Sequence, residues 1–246
     1  MATALGRNLI KIEQLSYSYM AAVSPVPVLD GLTFDLEPGE ITMLMGPSGC
    51  GKSTLLRVLM GIEKAATGQL SCDEKKFDLA TWTAQQSIFG LVPQVPHLFP
   101  WKTVFENIEL AIPEQILPQT RRERVLSALQ LVQLEKNAGD YPAAISQGMA
   151  SRVAFARTIV MNSPALLLDE PFAALDAMTR LHLQKWIRQK IKDAGLPALF
   201  VTHDIHEALL IGSNIHVMNG MPARIVASFS AGEATADKVA SSLASG

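Results

Sequence analysis

Short, uninterrupted apolar runs bounded by turn residues mark the predicted strands of a central sheet. Runs of this kind are typical of strands that are buried on both faces of a parallel sheet. They lie at Ile41–Met45, Ser87–Val92, Ala165–Leu168 and Ala198–Thr202. Segments whose apolar residues recur at helical spacing lie between these runs. The pattern therefore predicts an α/β fold with a mostly parallel sheet.

The amino-terminal part of the chain has a different pattern. Residues Leu9–Tyr19 alternate imperfectly between apolar and polar and are rich in β-forming residues, which predicts a strand. A loop punctuated by Ser24, Pro25 and Pro27 should follow, and Val28–Leu36 should return as a second strand. We therefore expect an antiparallel β-subdomain that lies against the central sheet.

Residues 95–160 form a predicted helical insertion between two strands of the core. The stretch Thr103-Val104-Phe105-Glu106 has the capping-box pattern of a helix start. Gln119–Leu131 is amphipathic, and Ser146 should begin a third helix that reaches Val160. The pattern thus predicts an α-helical subdomain inserted into the α/β core.

The remaining segments complete one predicted domain over residues 1–230. A weak hairpin is predicted at Gln69–Leu79, and helices are predicted at Thr179–Lys192 and Ile205–Leu210. A closing hairpin is predicted from Ile215–Met218 and Arg224–Phe229. The tail 231–246 is rich in Ala, Ser and Gly, so we expect it to be flexible.

Composition narrows the classes of partner and compartment. The chain has 246 residues, of which 48% are hydrophobic, enough for one full α/β core. A net charge of -2 gives no electrostatic footprint for nucleic acid or for an anionic membrane surface.

The two cysteines, Cys50 and Cys72, are far apart in the sequence, which indicates a reduced, cytosolic chain. No run is long enough to span a membrane, so we expect any membrane link to go through a partner.

One glycine-rich stretch carries the strongest chemical signal. It fits the phosphate-binding P-loop pattern G-x-x-x-x-G-K-[ST], and its residues are Gly46, Pro47, Ser48, Gly49, Cys50, Gly51, Lys52, Ser53 and Thr54. A predicted strand precedes it and helical spacing follows it, as the motif requires. Glycines let backbone N–H groups close around an anion, and the helix N-terminus adds a positive dipole. We predict nucleotide binding, with Lys52 on the β- and γ-phosphates and Ser53 on Mg2+.

Three titratable side chains directly follow predicted strands. Asp169 and Glu170 come after Ala165–Leu168, and His203 comes after Ala198–Thr202. Ligands of α/β folds bind at this carboxyl edge of the sheet. One carboxylate can hold Mg2+ through water while the other orients or deprotonates an attacking water, and the imidazole can contact a γ-phosphate. The remaining histidines have no such context, and we assign them no role.

Other motifs stand in a fixed order around these residues, namely Tyr19, Gln94, Ile145-Ser146-Gln147-Gly148-Met149 and Ala174-Leu175-Asp176. With the P-loop, the two carboxylates and His203, this order resembles that of ATP-binding cassette (ABC) ATPases, the nucleotide-binding subunits of membrane transporters. The resemblance covers residues 9–228 and implies a P-loop NTPase core that hydrolyses ATP with Mg2+.

The resemblance implies a role for each matching residue of the nucleotide site. Tyr19, with Tyr17 as the alternative, would stack on the adenine. Asp169 would bind Mg2+, Glu170 would be the catalytic base, and His203 would be the switch histidine.

The resemblance also implies roles at the edges of the site. Gln94 would sense Mg2+ and the lytic water and would contact the permease. Asp176 would belong to the D-loop. The residues that stand where the family has its signature Leu-Ser-Gly-Gly-Gln are Ile145, Ser146, Gln147, Gly148 and Met149.

Two signature residues depart from the family pattern. Met149 in place of Gln resembles importer ATPases of the nitrate, sulfonate and taurine type, as do Phe99-Pro100-Trp101-Lys102-Thr103 and Met221-Pro222-Ala223-Arg224-Ile225. Gln147 in place of the first signature glycine raises an alternative, a weakly hydrolysing regulatory subunit. The intact Glu170 and His203 argue against that alternative.

The resemblance implies a quaternary arrangement and partners. In this family the signature serine and the N-terminus of its helix complete the ATP site of a second subunit, head to tail, and a helix N-terminus favours anions. We therefore expect a homodimer whose helical insertion contacts transmembrane permease subunits at the cytoplasmic face of the inner membrane. An importer of a small polar or anionic solute would add an extracytoplasmic solute-binding protein.

A second alternative is a non-transport ABC ATPase that acts on a protein or nucleic-acid assembly. The single cassette, the lack of a long coiled-coil insertion and the near-neutral charge argue against it. We therefore favour a transporter subunit with no nucleic-acid partner.

Overall fold

The computed structural model describes residues 9–20, 24–173 and 175–244, and the predicted D-loop residue Ala174 lies outside these ranges. The strands are β1 (Ile10–Met20), β2 (Pro25–Leu36), β3 (Ile41–Met45), β4 (Thr67–Cys72), β5 (Lys75–Asp78), β6 (Phe89–Val92), β7 (Ala165–Asp169), β8 (Ala198–Thr202), β9 (Asn214–Asn219) and β10 (Arg224–Ser230). The α-helices are α1 (Lys52–Leu59), α2 (Val104–Glu109), α3 (Pro118–Leu131), α4 (Gln147–Val160), α5 (Ala177–Ala194), α6 (Ile205–Ile211) and α7 (Ala236–Ala244).

The central sheet has the strand order β10-β9-β3-β8-β7-β6. Strands β9, β3, β8, β7 and β6 pair in parallel, and only β10 in this sheet is antiparallel to its neighbour. The four apolar runs of the sequence are thus neighbouring parallel strands, and the predicted α/β fold is confirmed.

The apolar runs are uninterrupted because both faces of the central sheet are covered. Met43 and Met45 of β3 pack into the cluster formed with helices α4, α5 and α6. Leu44 points to the other cluster, which contains α1 and the inner face of a second sheet. Each fully buried side chain of this size contributes about 1.5–3 kcal/mol relative to exposure. Burial on both faces therefore holds β3 and its neighbours in the centre of the molecule.

The second sheet has the order β2-β1-β4-β5 and is antiparallel throughout. It contains the predicted amino-terminal strands, and the weak hairpin predicted at Gln69–Leu79 supplies β4 and β5. One boundary was wrong: β2 begins at Pro25, so the predicted loop over Pro25 and Pro27 is shorter than expected. Because β2 is an edge strand, prolines that lack an N–H group do not break a ladder there.

The segment between β6 and β7 contains α2, α3 and α4, with short 3₁₀ turns at Glu135–Asn137 and Pro142–Ala144. The predicted capping box is present at the start of α2: Thr103 N donates to Glu106 Oε2 at 2.7 Å, and Glu106 N donates to Thr103 Oγ1 at 3.2 Å. The side chain of Asn107, which is fully buried, donates to the carbonyls of Phe99, Lys102 and Thr103. These bonds fix the loop that leads into α2. Among the described residues, no helix is long and apolar enough to cross a membrane.

The carboxyl-terminal tail corrects another expectation. The segment 231–246, predicted to be flexible, forms helix α7 over most of its described residues. Val239 is fully buried, and Asn219 Nδ2 of β9 donates to Leu243 O at 2.9 Å. Val239 and Leu243 lie one helical turn apart and give α7 an apolar side. The composition of the tail, dominated by Ala and Ser, gives no sign of this helix.

We predict that Val239→Ser releases α7 from the sheet without unfolding the core. Loss of the buried valine costs about 2 kcal/mol, so exchange of the α7 backbone amides should accelerate roughly thirtyfold. Amide hydrogen exchange measures this, with Ala240→Ser as an exposed control on the same helix. Unchanged protection of α7 in Val239→Ser would show that α7 is not held by this contact.

Candidate functional site

The carboxyl ends of four parallel strands meet at one edge of the central sheet. The pairing of β3 with β8, of β8 with β7 and of β7 with β6 keeps their last residues level. The residues that follow these strands are Gly46, His203, Glu170 and Pro93, and Gln94 comes next. The sheet therefore brings together predicted site residues that are up to about 150 positions apart in the chain.

The P-loop connects β3 to α1 in the predicted context. Gly51, the N-cap of α1, has a φ of 105°, a conformation that side chains strongly disfavour. Lys52 is buried, and its Nζ donates to Gly46 O at 2.7 Å and to Pro47 O at 2.9 Å. The ammonium group of Lys52 is therefore held inside the P-loop by carbonyl groups of the same loop.

A hydroxyl of the P-loop and a carboxylate at the end of β7 are candidate oxygen donors for a metal ion. Ser53 is exposed in the first turn of α1. Asp169 lies at the end of β7 and is half-buried. Burial and the neighbouring Glu170 raise the pKa of its carboxyl group, and the charges of Lys52 and Arg57 offset only part of that rise. Hard oxygen donors of this kind suit Mg2+, which takes one or two carboxylates and completes its shell with phosphate and water. The side chains present therefore fit a magnesium ion.

Glu170 and His203 form a direct contact that sequence reasoning did not predict. His203 Nδ1 lies 3.0 Å from Glu170 Oε2. Glu170 has a φ of 42°, an uncommon conformation for a residue other than glycine that costs on the order of 1 kcal/mol. Its backbone N–H donates to Val201 O at 3.1 Å, which fixes this turn of the chain. The fold thus stabilises an unfavourable backbone conformation that directs the carboxylate to the histidine.

The two tyrosines that were candidates for adenine stacking lie in different environments. Tyr17 is 4% exposed, and its hydroxyl donates to Glu63 Oε2 at 2.9 Å. Tyr19 is 37% exposed, and its hydroxyl lies 3.3 Å from Thr54 Oγ1 of the P-loop. The rings pack edge to face with centroids 4.9 Å apart. The geometry favours Tyr19 as the accessible ring, with Tyr17 beneath it as support.

Gln94 is exposed and lies just beyond β6. The loop that follows it is held by Arg157 of α4, which donates to Pro96 O at 2.7 Å and to His97 O at 3.1 Å. The Arg157 guanidinium is desolvated, which lowers its pKa. The chain leaves β6 through Pro93 and Pro96, which flank this glutamine, and Arg157 holds that exit against the helix that carries the signature residues.

The signature residues start α4. Ser146 is the N-cap, and its Oγ accepts from Met149 N at 3.2 Å. Gln147 is exposed, whereas Gly148 is buried against Thr179 of α5. None of the described signature side chains hydrogen bonds to the P-loop or to the carboxylates of Asp169 and Glu170. The signature residues therefore form a second cluster, distinct from the one around Lys52.

The D-loop residue Asp176 is the N-cap of α5. Its Oδ1 accepts from Met178 N at 3.2 Å and from Thr179 N at 3.1 Å. The Thr179 side chain and these backbone bonds lower the pKa of the carboxyl group. The D-loop is thereby fixed to the start of α5, next to the helix that carries the signature.

Sequence reasoning missed a group of polar side chains behind His203. Its members are Arg180, Gln184, Thr202, Asp204 and Glu207. One signal was available, because Glu207 lies one helical turn before Ile211 and therefore on the apolar, buried side of α6.

Fold and site together define a P-loop nucleotide-binding protein with a carboxylate and histidine pair at the sheet edge. The family profile described as ABC transporter matches residues 29–173. The aliphatic sulfonates import ATP-binding protein SsuB of Bacillus cereus is 36% identical over 218 residues, which cover 88% of this chain and 83% of that protein.

Two further comparisons extend this similarity. The sulfate/thiosulfate import ATP-binding protein CysA of Burkholderia mallei is 41% identical over 196 residues, 78% of this chain and 55% of that protein. The structure of the ATP-binding cassette MJ0796, a dimer in a post-hydrolysis state bound to ADP and Pi, matches with a TM-score of 0.75 at 26% identity. It covers 90% of this chain and 98% of that one. The chain belongs to the ABC transporter ATPase family, and it is an ATP-binding and ATP-hydrolysing enzyme.

We predict that Tyr19→Ala weakens ATP binding about fivefold, because one aromatic contact contributes about 1 kcal/mol. Titration of the purified subunit with a fluorescent ATP analogue measures this. Trp101→Ala, which removes an exposed aromatic ring from the helical insertion, is the control and should bind normally. Normal affinity in Tyr19→Ala with weakened binding in Tyr17→Ala would assign the adenine contact to Tyr17.

We predict that Gly148→Ala destabilises the protein through a clash between α4 and α5. A Cβ at Gly148 would lie 2.8 Å from Thr179 Cγ2. Overpacking costs about 1–3 kcal/mol and helix propensity returns up to about 1, so the free energy of unfolding should fall by about 1 kcal/mol. Thr179→Ser removes the clashing methyl group but keeps the hydroxyl, and it should restore stability in the double variant. Urea unfolding tests both, and a Gly148→Ala variant as stable as the wild type would contradict the clash.

Proposed function

We propose that this chain is the ATPase subunit of an importer for a small anionic solute, in the class of sulfonates and sulfate. The cluster of Lys52, Asp169, Glu170 and His203 at one sheet edge carries the enzymatic part of the proposal. The import function and the solute class rest on the relatives, which are named for importing aliphatic sulfonates and sulfate or thiosulfate. Met149 in the signature agrees with that group of importers.

The P-loop would bind the phosphates of ATP. Its N–H groups and the positive end of α1 attract the anion, and Lys52 lies where it can exchange its carbonyl partners for phosphate oxygens. Ser53, Asp169 and Gln94 would hold Mg2+, which supplies neutralisation of the charge that develops on the phosphates. Tyr19 would stack on the adenine beside the P-loop.

Glu170 would act as the general base. Its carboxylate is placed to accept a proton from a water that attacks the γ-phosphate. The bond from His203 holds that carboxylate in one orientation and places the imidazole at the same edge. The pair can therefore orient the water and contact the transferred phosphate.

The signature cluster would act on a second subunit. Ser146 and the N-terminus of α4, a helix of 14 residues, present N–H groups and a positive dipole suited to a phosphate. Within the chain these groups do not join the P-loop cluster, so a head-to-tail homodimer would supply the missing half of each site. The dimeric cassette to which the chain is similar supports this proposal.

The permease would contact the helical insertion, residues 95–160. Val95, Phe99 and Trp101 are exposed there, close to Gln94 in the chain. Closure of the dimer on ATP and its separation after hydrolysis would move this surface and drive the permease. We accordingly place the subunit at the cytoplasmic face of the inner membrane, held peripherally by the permease, with an extracytoplasmic solute-binding protein as the further partner.

We predict that Glu170→Gln retains ATP binding and loses turnover. The amide keeps the shape but not the base, so the rate should fall by about 10² or more. Size-exclusion chromatography with ATP should show an accumulated dimer. Glu114→Gln, an exposed carboxylate of the helical insertion, is the matched control. Wild-type turnover in Glu170→Gln would remove Glu170 from the role of base.

We predict that Gln147→Gly speeds hydrolysis several-fold. The family's glycine lets the start of the signature helix approach the partner's γ-phosphate, and Ser146 with the helix N–H groups already supplies donors. Better transition-state contact of about 1.4 kcal/mol would give tenfold. Steady-state ATPase rates with the permease present decide the matter. A slower variant would show that the Gln147 amide binds the phosphate.

A further inference from the structure

Side chains of helix α5 connect to the residue before His203 and to the residue after it. On one side lies Asp204, the N-cap of α6, whose Oδ1 accepts from His206 N at 2.8 Å and from Glu207 N at 3.2 Å. Its other oxygen, Oδ2, lies 3.9 Å from Arg180 Nη1 of α5. Asp204 therefore divides its carboxylate between its own helix and the arginine.

Arg180 also contacts the D-loop. Its Nη2 donates to Leu175 O at 2.8 Å, and Leu175 directly precedes the D-loop residue Asp176. The planar guanidinium presents several donors in a fixed fork, so one side chain can hold two partners in a defined relative position. Arg180 thus joins the D-loop to the residue that follows His203.

A second connection holds the residue before His203. Gln184, one helical turn after Arg180, donates from Nε2 to Glu207 Oε1 at 2.9 Å, and Glu207 Oε2 accepts from the Thr202 hydroxyl. All three side chains are buried. Burial raises the pKa of the Glu207 carboxyl, while the bonds from Thr202 and Gln184 lower it. This buried chain anchors α6 to α5 independently of Arg180.

Arg180 and the pair of Glu170 and His203 line the same pocket. It has a volume of about 80 Å3, and its polar lining includes Glu170, Arg180, His203, Asp204 and Glu207. A polar space of this size can hold water rather than packed side chains. On this side polar connections hold the His203 loop, and Arg180 supplies the one that reaches the D-loop.

We propose that Arg180 is a positioning residue for hydrolysis, which holds the His203 loop in register with the D-loop so that His203 meets Glu170 correctly. The proposal rests on the roles proposed above for Glu170 and His203. Arg180 touches no reacting atom; it acts through Asp204. In the dimer, a movement of the D-loop would pass through Leu175 and Arg180 to the residue beside His203.

The test compares two arginines on the same helix. Arg180→Ala should lower kcat about tenfold and change KM less than twofold, because the nucleotide contacts are intact while the catalytic pair is misplaced. Arg188→Ala is the matched control, because Arg188 Nη1 also donates from α5 to a carbonyl, Leu210 O, at 2.9 Å. Leu210 lies at the end of α6 that is far from His203. Arg188→Ala should keep the wild-type kcat. Arg180→Lys should fall between wild type and Arg180→Ala because it keeps the charge but not the fork.

A double-variant cycle tests the route through Asp204. Asp204→Ser keeps a capping oxygen for α6 and removes the charge that faces Arg180. If Arg180 acts through Asp204, the double variant should be no slower than the slower single variant. Multiplied losses in the double variant would overturn the proposal.

A wild-type kcat in Arg180→Ala would also overturn the proposal. So would equal losses of kcat in Arg180→Ala and Arg188→Ala that run parallel to losses of Tm, because the effect would then be a general loss of stability. Failure of the proposed role of Glu170 is recognised separately, because Glu170→Gln would then keep the wild-type turnover.

Discussion

Parallel pairing of β3, β8, β7 and β6 is the constraint on which the site depends. These strands are buried on both faces, and alternate residues contribute to two different apolar clusters. A slip of one residue would exchange the faces and put side chains of other shapes into both close-packed clusters, so packing specifies the register. That register keeps the strand ends level, and it thereby places the P-loop, Glu170 and His203 at one edge. The chemistry thus depends on the packing of side chains that take no part in it.

The site consists of two clusters with different supports. The P-loop, Asp169, Glu170 and His203 are held by the strands, whereas Ser146 and its neighbours are held by α4. Helix α5 contacts both parts, because Gly148 packs against Thr179 and because Arg180 reaches Asp204. A helix that touches the signature, the D-loop and the histidine loop is suited to coordinate them. In the proposed dimer, α5 would make the state of one nucleotide site depend on the fit of the partner.

Local patterns predicted the fold class, the P-loop and the residues that follow the strands, because these depend on periodicity and on short motifs. Other features depend on distant parts of the chain and left no local signal. The contact between Glu170 and His203 follows from strand order, and the choice between Tyr17 and Tyr19 follows from which face of β1 is covered. Helix α7 has a composition typical of a loose tail, and docking of Val239 against the core decides its structure. Arg180 has no distinctive local sequence pattern, because its contact with Asp204 arises only when α6 packs beside α5.

The central claim, that each chain holds half of each ATP site, is tested most directly by mixing two inactive variants. Lys52→Ala disables the P-loop, and Ser146→Arg disables the signature, so each variant alone should be inactive. In a head-to-tail heterodimer one site combines the intact P-loop of one chain with the intact signature of the other. In a random equal mixture about half of the dimers are heterodimers, and each of these has one active site of two. The mixture should therefore regain roughly a quarter of the wild-type ATPase rate. A mixture that stays as inactive as its two components, although heterodimers are detected in it, would contradict the shared site.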